Sequence, residues 1–435
     1  MIFLTKWKET EIGRIPEDWN FYTIDKIAEV IGGGTPSTKE AENFNGDIPW
    51  ITPKDLSNCT SKYISRGERS LTNKGLQNSN AKIIPKGSVL VTTRAPVGYV
   101  VIAANEVTTN QGFHSIIPRK GFSSEYIYYL IKKNVTYLRA NANGSTFSEL
   151  SSSRFKQLKF PFPTLEEQKA IAKILSDLDS KIELNNQMNA TLEAMAHAIF
   201  KHWFIDFEFP NEKGEPYKSS GGKMVDSELG KIPEGWKVKG IIEIASIIDC
   251  LHSKKPTQTE NGPVLLQFYN VGANYLLDLN KQYHVSQRDY DFWTRNISVR
   301  EGDLVITNAG KAGAIAQIPP EAIFGIGRNI TAIRPAGVPP TFLLLYLTSD
   351  YGIKEISKNT DQGTIFDTLN VKGIKKLKII IPTNEILFSF EKLVRPMRHE
   401  LEEDNTEASK LARLRDFLLP KLMSGKIRIN PKMSK

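Results

Sequence analysis

The chain has 435 residues, of which 40% are hydrophobic and 9% aromatic, so it can build about three packed domains and is neither disordered nor fibrous. Its apolar runs, such as residues 342–347, are far shorter than the ~20 residues of a membrane helix. Because no signal-peptide pattern is present either, we expect a soluble, cytoplasmic protein without membrane contact. The formal net charge of +9 favours a polyanionic partner without identifying one.

The charge is unevenly distributed. Residues 1–163 carry 21 basic and 14 acidic side chains, whereas residues 164–210 carry 4 basic and 8 acidic ones. The basic excess therefore lies mainly in the first part of the chain, and an acidic stretch separates it from the rest.

In chain order, residues 1–163 contain short apolar runs such as 89–91 and 100–102, punctuated by Gly, Pro, Asn and Ser. This pattern predicts an α+β domain with many short strands. Proline boundaries then precede long helical patterns. The predicted segments after the first domain are a helix (164–209), a flexible linker (210–225), a second α+β domain (226–383), a second helix (384–425) and a tail (426–435).

The two domains arise from an internal repeat. Residues 11–19 (EIGRIPEDW) recur as residues 228–236 (ELGKIPEGW), shifted by 217 positions. Residues 86–93 and 301–308 are related by a similar shift. The chain is therefore a tandem duplication.

The first helix has a coiled-coil seam with three- and four-residue spacing. Its members are Ile171, Leu175, Leu178, Ile182, Asn185, Asn189, Leu192, Ala196, Ile199 and Trp203. The second helix repeats the pattern, but Pro396 lies inside it and should kink or break it. Helices of about 35 to 40 residues run roughly 50 to 60 Å, so we expect them to pair with each other, antiparallel, because a whole domain separates them in sequence.

Metal chemistry is not expected. Cys59 and Cys250 lie far apart without paired spacing, which predicts neither a disulfide nor a zinc site. His197 and His202 are five residues apart, not the four that would put both on one helical face.

Catalytic motifs are also missing from the sequence. The glycines at 32–34 are followed by Thr35 and Pro36, not by the Gly-Lys-Ser/Thr of a phosphate-binding loop, so an ordinary turn is favoured. No nucleophile, base and orienting residue form a set. The sequence favours binding over catalysis.

Three features together resemble the specificity subunit of type I restriction-modification systems. They are the two Gly-Lys/Arg-Ile-Pro-Glu-x-Trp openings, residues 192–207 (LEAMAHAIFKHWFIDF) and residues 411–425 (LARLRDFLLPKLMSG). The resemblance covers nearly the whole chain. It implies an α+β fold with two tandem pseudo-repeated target-recognition domains separated by two long antiparallel coiled-coil helices.

The resemblance also implies a DNA sequence-specificity subunit that is not catalytic by itself. Each domain would read one half of a bipartite, asymmetric site in double-stranded DNA, and the helices would set the spacer and dock two modification (methyltransferase) subunits. Adenine methylation with S-adenosylmethionine would belong to those subunits. Cleavage with ATP and magnesium would belong to restriction subunits, so we expect no cofactor and no metal in this chain.

Polar turns are the predicted DNA contacts, because Arg, Asn, Gln, Ser and Thr read base edges while Lys and Arg meet phosphates. In the first domain they are Trp50, Thr52, Lys54, Thr92, Thr93, Arg94, Asn110, Gln111, Asn143, Gly144, Ser145 and Thr146. In the second they are Gln267, Tyr269, Asn270, Thr307, Asn308, Lys311, Arg328, Asn329, Gln362, Gly363 and Thr364. An ordinary surface turn is the alternative for each single residue, and only the recurrence at equivalent positions favours DNA.

The corresponding turns differ, since residues 92–96 read TTRAP and residues 307–311 read TNAGK. The two half-sites should therefore differ. We expect Arg94 to read a base edge, since a guanidinium bonds bidentately to guanine, and Lys311 to meet phosphate. The alternative function is a non-catalytic coiled-coil scaffold whose duplicated domains bind protein or RNA.

Overall fold

The computed structural model describes residues 6–11, 13–57, 59, 61–143, 149–272, 275–363 and 367–429. Their contacts group them into two units. Unit 1 combines the chain up to Leu184 with the chain from Lys410 onward, and unit 2 is Asn185–Ser409. Each unit therefore holds one copy of the repeat and part of each long helix.

Unit 1 is built on a five-stranded sheet. The strands of the whole unit are β1 (Trp7–Thr10), β2 (Gly13–Pro16), β3 (Asn20–Thr23), β4 (Ala28–Gly32), β5 (Phe44–Ile51), β6 (Tyr63–Ile64), β7 (Arg69–Leu71), β8 (Val89–Thr92), β9 (Val100–Ala103), β10 (Thr108–Thr109), β11 (Phe113–Pro118) and β12 (Lys159–Phe162). The main sheet has the order β4-β11-β8-β9-β6, a second sheet has the order β10-β5-β7, and β1–β2 and β3–β12 form separate pairs. All four residues of β8 are buried, as expected of a central strand covered on both faces.

Unit 1 also contains short helices. They are α1 (Ile24–Ile27), α2 (Pro53–Ser57), α3 (Asn73–Gln77), α4 (Ser124–Lys133), α5 (Val135–Ala140) and α6 (Ser152–Gln157), with a 3₁₀ turn at Ala41–Asn43. The Ser123 and Ser151 hydroxyls accept bonds from backbone N–H groups of the first turns of α4 and α6, which explains where these helices begin. Trp19 and Tyr126 are fully buried in the core.

Unit 2 repeats much of this topology. Its strands are β13 (Met224–Ser227), β14 (Gly230–Pro233), β15 (Lys237–Gly240), β16 (Ala245–Asp249), β17 (Leu265–Leu266), β18 (Val299–Arg300), β19 (Leu304–Thr307), β20 (Ile315–Gln317), β21 (Ile323–Ile326), β22 (Ile330–Pro335) and β23 (Lys378–Ile381). The sheet β16-β22-β19-β20 corresponds to β4-β11-β8-β9, and a second sheet has the order β17-β21-β18. The helices are α8 (Gln287–Thr294), α9 (Pro340–Thr348), α10 (Asp350–Lys358) and α11 (Val371–Lys375), with 3₁₀ turns at Ile241–Glu243 and Phe268–Asn270.

The long helices are α7 (Leu165–Phe200), which continues as a π-helical turn at Lys201–Ile205, and α12 (Asn384–Met423). In unit 1, Arg415 Nη1 donates to Asp179 Oδ1 at 2.8 Å. In unit 2, Asn185 Nδ2 donates to the Asp404 carbonyl at 3.3 Å, and Arg398 Nη1 donates to Glu193 Oε2 at 3.0 Å. Higher numbers on α7 thus meet lower numbers on α12, which confirms the predicted α+β class with antiparallel long helices.

Of the kink or break expected at Pro396, the break is wrong, since α12 continues through this residue without interruption. Pro396 removes one backbone donor and should disfavour the helix locally. Burial of Phe390, Val394 and Leu401 on both sides of it holds the helix against unit 2. Tertiary packing therefore outweighs the local preference.

Both long helices end in the same way. Phe207 after α7 and Gly425 after α12 adopt positive φ values of 62° and 70°, which redirect the chain. Phe204 is buried and contacts Trp236 with 5.8 Å between ring centroids, whereas Trp203 is half-buried beside the ring of Phe390. The cluster is thus mainly core, in keeping with the preference of large aromatic rings for burial.

The segment expected to be a flexible linker forms ordered contacts. Tyr217 stacks on Phe209 with 4.6 Å between ring centroids, and its hydroxyl donates to the Lys223 carbonyl at 2.9 Å. This stacking adds to the burial of the aromatic surface, so part of the segment belongs to unit 2.

Candidate nucleic-acid interface

A tight turn follows the central strand of unit 1. The Thr92 N–H donates to the Tyr99 carbonyl at 2.9 Å, and Gly98 N–H donates back to the Thr92 carbonyl at 2.9 Å. The Thr92 hydroxyl donates to the Pro96 carbonyl at 2.6 Å and accepts from the Tyr99 N–H. A buried threonine thus closes the turn from inside and leaves Arg94 exposed at its tip.

Unit 2 builds the same turn after β19. Thr307 N–H donates to the Ala314 carbonyl, and Gly313 N–H donates to the Thr307 carbonyl, both at 2.9 Å. The Thr307 hydroxyl donates to the Lys311 carbonyl and accepts from the Ala314 N–H. The alignment of residues 92–96 with 307–311 is therefore matched bond for bond.

The side chains that these two turns expose are different. Arg94 occupies the position of Ala309, and Lys311 occupies the position of Pro96. Both charged side chains are exposed. One backbone frame thus presents a guanidinium in unit 1 and an ammonium, two residues further on, in unit 2.

Two more predicted segments meet the turn of unit 1. Thr93 N–H donates to the Gly112 carbonyl at 2.7 Å, and Leu150 N–H donates to the Thr93 carbonyl at 3.0 Å. Asn143 and Glu149 form a backbone bridge beside them. Segments up to 57 positions apart in sequence therefore form one edge of unit 1, which consists of the turn, Gly112, Asn143, Glu149 and Leu150.

Unit 2 has the corresponding edge. Asn308 N–H donates to the Asn329 carbonyl at 2.9 Å, and Leu369 N–H donates to the Asn308 carbonyl at 2.8 Å. Asp361 and Thr368 form the backbone bridge. Because these backbone bonds correspond to those of unit 1, the predicted turns lie together at the same place in both units.

Arg94 is paired with a residue that the sequence did not single out. Its Nη2 donates to Glu149 Oε1 at 2.6 Å, and both side chains are about half exposed. Exposed ion pairs of this kind contribute about 0 to 1 kcal/mol, so another acceptor can replace Glu149 at little cost. The pair is formed across 55 residues, which is why no sequence spacing reveals it.

Asn110 and Gln111 lie on the same edge. The Asn110 carbonyl oxygen Oδ1 accepts from the Gly112 N–H at 2.9 Å, and the exposed Gln111 accepts a bond from the Thr35 hydroxyl. Gly112 lies against Pro53 and the Cβ of Arg94. The glycine turn at 32–34, which carried no phosphate-loop motif, therefore leads into this edge.

Six predicted contact residues are buried inside the fold instead. They are Trp50, Thr92, Thr93, Gln267, Asn270 and Thr307. Trp50 Nε1 donates to the Gly34 carbonyl at 3.0 Å, and Asn270 Nδ2 donates to the Asp278 and Lys281 carbonyls. Since buried polar groups need such partners, these residues shape the turns and do not present side chains at the surface.

The remaining predicted residues lie outside the interior. The Thr52 hydroxyl donates to Asp55 Oδ2 at 2.7 Å, Lys54 pairs with Glu68 at 2.7 Å, and Tyr269 is half-buried. Exposed positions are held by Asn143, Arg328, Asn329, Gln362 and Gly363, whereas Gly144, Ser145, Thr146 and Thr364 are outside the described residues.

A groove of about 410 Å³ opens beside the edge of unit 2. It is lined by Asp249, His252, Asn308, Asn329, Asn370, Val371 and Lys372. Arg328 Nε donates to the Ser253 carbonyl at 3.0 Å and so holds the adjoining loop. Asp249, His252 and Lys372 were missed from the sequence, because α11, which carries Lys372, packs against β16 only in the folded chain.

Burial controls ionisation near both edges. It lowers the pKa of His114, whose Nε2 lies 3.1 Å from the Leu150 carbonyl, so this imidazole is neutral. It raises the pKa of the Cys250 thiol to about 11. Neither group adds charge to the surface, which leaves the exposed Arg and Lys side chains as the cations of these edges.

In the described part of the chain, no helix is long and apolar enough to cross a bilayer.

Comparisons with known proteins agree with this architecture. A family model described as "Type I restriction modification DNA specificity domain" matches residues 16–194. The MjaIX specificity subunit of Methanocaldococcus jannaschii, a type I restriction enzyme, is 37% identical over 98% of this chain and 97% of its own length. The HindI specificity subunit of Haemophilus influenzae is 24% identical over 94% of this chain and its whole length. The S subunit of a type I system from M. genitalium has a similar fold, with a TM-score of 0.58 and 19% identity over 93% of this chain and 96% of that one.

A duplicated α+β unit with two antiparallel long helices and paired polar edges is the architecture of a DNA-recognition subunit. The chain belongs to the family of type I restriction-modification specificity subunits.

Proposed function

We propose that each unit reads one half of a bipartite DNA site through the edge that carries its turn, and that the two half-sites differ. The two turns closed by the same threonine hydrogen bonds, one with Arg94 and the other with Lys311, support this proposal. Discrimination needs side-chain donors and acceptors at base edges, whereas the backbone frame only positions them. The same backbone turn with different exposed side chains suits two units that recognise different DNA sequences.

Arg94 reads a base edge in this proposal. A guanidinium can bond bidentately to guanine, and its half-exposed Glu149 partner holds it at the edge until DNA replaces that weak pair. Lys311 meets a phosphate, because an ammonium is a point charge without the planar fork.

Binding to a library of half-site variants at several salt concentrations tests both roles in the assembled methyltransferase. Arg94→Ala should relax discrimination at one position, with a loss of about 1 to 3 kcal/mol on the preferred base. Lys311→Ala should weaken binding to all variants alike and reduce the salt slope by about one phosphate contact.

The matched control is Arg14→Ala, which removes the same charge from an exposed Arg–Glu pair on the β1–β2 hairpin of unit 1. It should leave discrimination unchanged. If Arg94→Ala weakens every library member equally, the base-reading role is wrong.

The long helices set the spacer between the half-sites and dock two methyltransferase subunits. At 1.5 Å per residue, α7 and α12 run about 54 and 60 Å. The exposed Phe388 and Phe417 on α12 offer apolar surface of the kind that protein partners cover. Removing one heptad from both helices should change the spacer and keep the half-sites. Altered half-site bases with an unchanged spacer would contradict the proposal that the helices set the spacer.

Catalysis belongs to the partner subunits, which supply S-adenosylmethionine, ATP and magnesium chemistry, and the complex acts on cytoplasmic DNA. The purified chain given S-adenosylmethionine and magnesium should neither methylate nor cut DNA. Turnover by the pure chain, abolished by a variant of this chain, would overturn this assignment.

A further inference from the structure

Three metal-ligating side chains meet where β16 ends. One ligand atom from each of Asp249, Cys250 and His252 lies within 4.8 Å of the other two. His252 Nε2 is 2.7 Å from Asp249 Oδ2. The absence of paired cysteine spacing suggested no zinc site, but the fold assembles one cysteine with two ligands of other types.

The end of the strand explains why neighbouring residues can converge. Within a strand, successive side chains point to opposite faces, but β16 ends at Asp249. The Cys250 N–H then donates to Asp249 Oδ1 at 2.8 Å and folds the carboxylate back toward the next residue. Cys250 is only 5% exposed, whereas the His252 side chain is 73% exposed, so a fixed interior ligand faces an adjustable surface ligand.

Cys250 belongs to the buried apolar core of unit 2, in the cluster that also holds Leu266 and Ile330. Because packed interiors leave little room for a side chain to shift, this residue fixes the place of the site.

We propose that Asp249, Cys250 and His252 bind a divalent transition-metal ion of the zinc class. Thiolate, imidazole and carboxylate together suit zinc, with ligand distances of about 2.0 to 2.3 Å. A tetrahedral site with these distances has edges of about 3.3 Å or more, so His252 and Asp249 must move apart by about half an ångström, which the exposed imidazole permits.

Three protein ligands leave a fourth position, as in zinc sites that bind water or another molecule. Asp249 and His252 also line the groove beside Asn308 and Lys372. The fourth position therefore opens toward the surface proposed to read DNA. Only this last point rests on the proposed function; the metal site itself does not.

Unit 1 supplies an internal comparison. The strand β4 pairs with β11 in the same register as β16 with β22, with Gly32 opposite His114 and Asp249 opposite Thr331. By this register Gly33 stands at the position of Cys250, so unit 1 has no thiol there and should not bind the metal.

Cobalt(II) titration of the purified full chain, without DNA, tests the proposal. A thiolate-to-cobalt charge-transfer band should appear, saturate at one ion per chain, and disappear when zinc is added. Cys250→Ser should abolish the band, whereas Cys59→Ser, which removes the cysteine of unit 1, should keep it. His252→Gln changes an exposed side chain and should weaken binding without unfolding, as circular dichroism will check.

No band in the folded, reduced parent chain would overturn the site. A band that survives Cys250→Ser but not Cys59→Ser would also overturn it, as would cobalt binding unchanged in His252→Gln. Because the titration contains no DNA, these outcomes are independent of the half-site measurements.

Discussion

Units 1 and 2 share the residues that close their turns and differ in the residues that face outward. Thr92 and Thr307 are both fully buried and make the same backbone bonds, while Arg94 corresponds to Ala309. The units also diverge at the second sheet, where unit 1 pairs β5 with β7 and unit 2 pairs β21 with β18. A duplicated domain can thus keep the backbone of its turns, where changes cost stability, and vary the side chains on its exposed edge.

The largest expected effect concerns buried residues near the carboxyl-terminal ends of the two long helices. Phe204→Ala should destabilise unit 2 by about 3 to 5 kcal/mol, because it empties a site between Trp236, Phe342 and Phe390. Leu422, buried three residues before Gly425, is the counterpart in unit 1, and Leu422→Ala should cost about 2 to 5 kcal/mol. Hydrogen exchange during urea unfolding locates each loss.

The control for this pair is Phe388→Ala, since Phe388 is 72% exposed on α12 and should change stability by less than about 0.5 kcal/mol. Equal loss of protection in both units from either core variant would show that the two units are not separately stabilised.

A pH-dependent effect should appear in the part of α12 that belongs to unit 2. Burial raises the pKa of Glu402 to about 7 from 4.5, opposed by Arg398 and His399. The folded state thus holds this proton more tightly than the unfolded state, so stability falls as pH rises from 4.5 through 7. Glu402→Gln should therefore be more stable than the parent at pH 8, by up to about 3 kcal/mol, and equal to it near pH 4.

Urea unfolding at pH 4, 6 and 8 measures this difference. Glu403→Gln, at an exposed neighbouring position, is the matched control and should show no comparable gain at pH 8. A constant difference between Glu402→Gln and the parent at all three values would contradict the burial argument.

Alanine substitutions at Gly98 and Gly313 measure whether the two turns are equally closely packed against their neighbours. An alanine Cβ at Gly98 would lie 2.4 Å from Val135 Cγ1, and at Gly313 it would lie 2.8 Å from Ile356 Cγ2. Each substitution should cost about 1 to 3 kcal/mol in urea unfolding, with Gly98→Ala the larger.

Both positions also have positive φ, so the strain of alanine must be separated from the contact. Gly121 has a φ of +99° with nothing within 4 Å of an added Cβ, and Gly121→Ala measures the strain alone. If it costs as much as Gly98→Ala, the contact contributes nothing.

The smallest expected effect is at Glu149. Glu149→Gln breaks its ion pair with Arg94 and should change stability by less than about 1 kcal/mol, yet it removes a negative charge from the proposed DNA edge. DNA binding at low salt should become a few-fold tighter, and the difference should vanish at high salt. Glu106→Gln, at an exposed position between β9 and β10, is the control in fluorescence anisotropy titrations, and an equal gain there would show a general charge effect.

The duplication, the α+β class and the two long helices could all be predicted from the sequence alone. These features follow from local patterns: the repeated tryptophan motif, short apolar runs between turn residues, and a seam at helical spacing. It also placed the polar turns of both units on corresponding positions. Such signals survive because each depends on neighbours along the chain.

Which of those polar residues face outward depends on contacts that exist only in the folded chain. Thr93 and Arg94 are adjacent, but Thr93 bonds inward to Gly112 while Arg94 meets Glu149 at the surface. Pro396 likewise stays helical because packing on both sides outweighs its local preference. Burial and long-range pairing are properties of contacts between distant segments, and a local pattern carries no record of which segments meet.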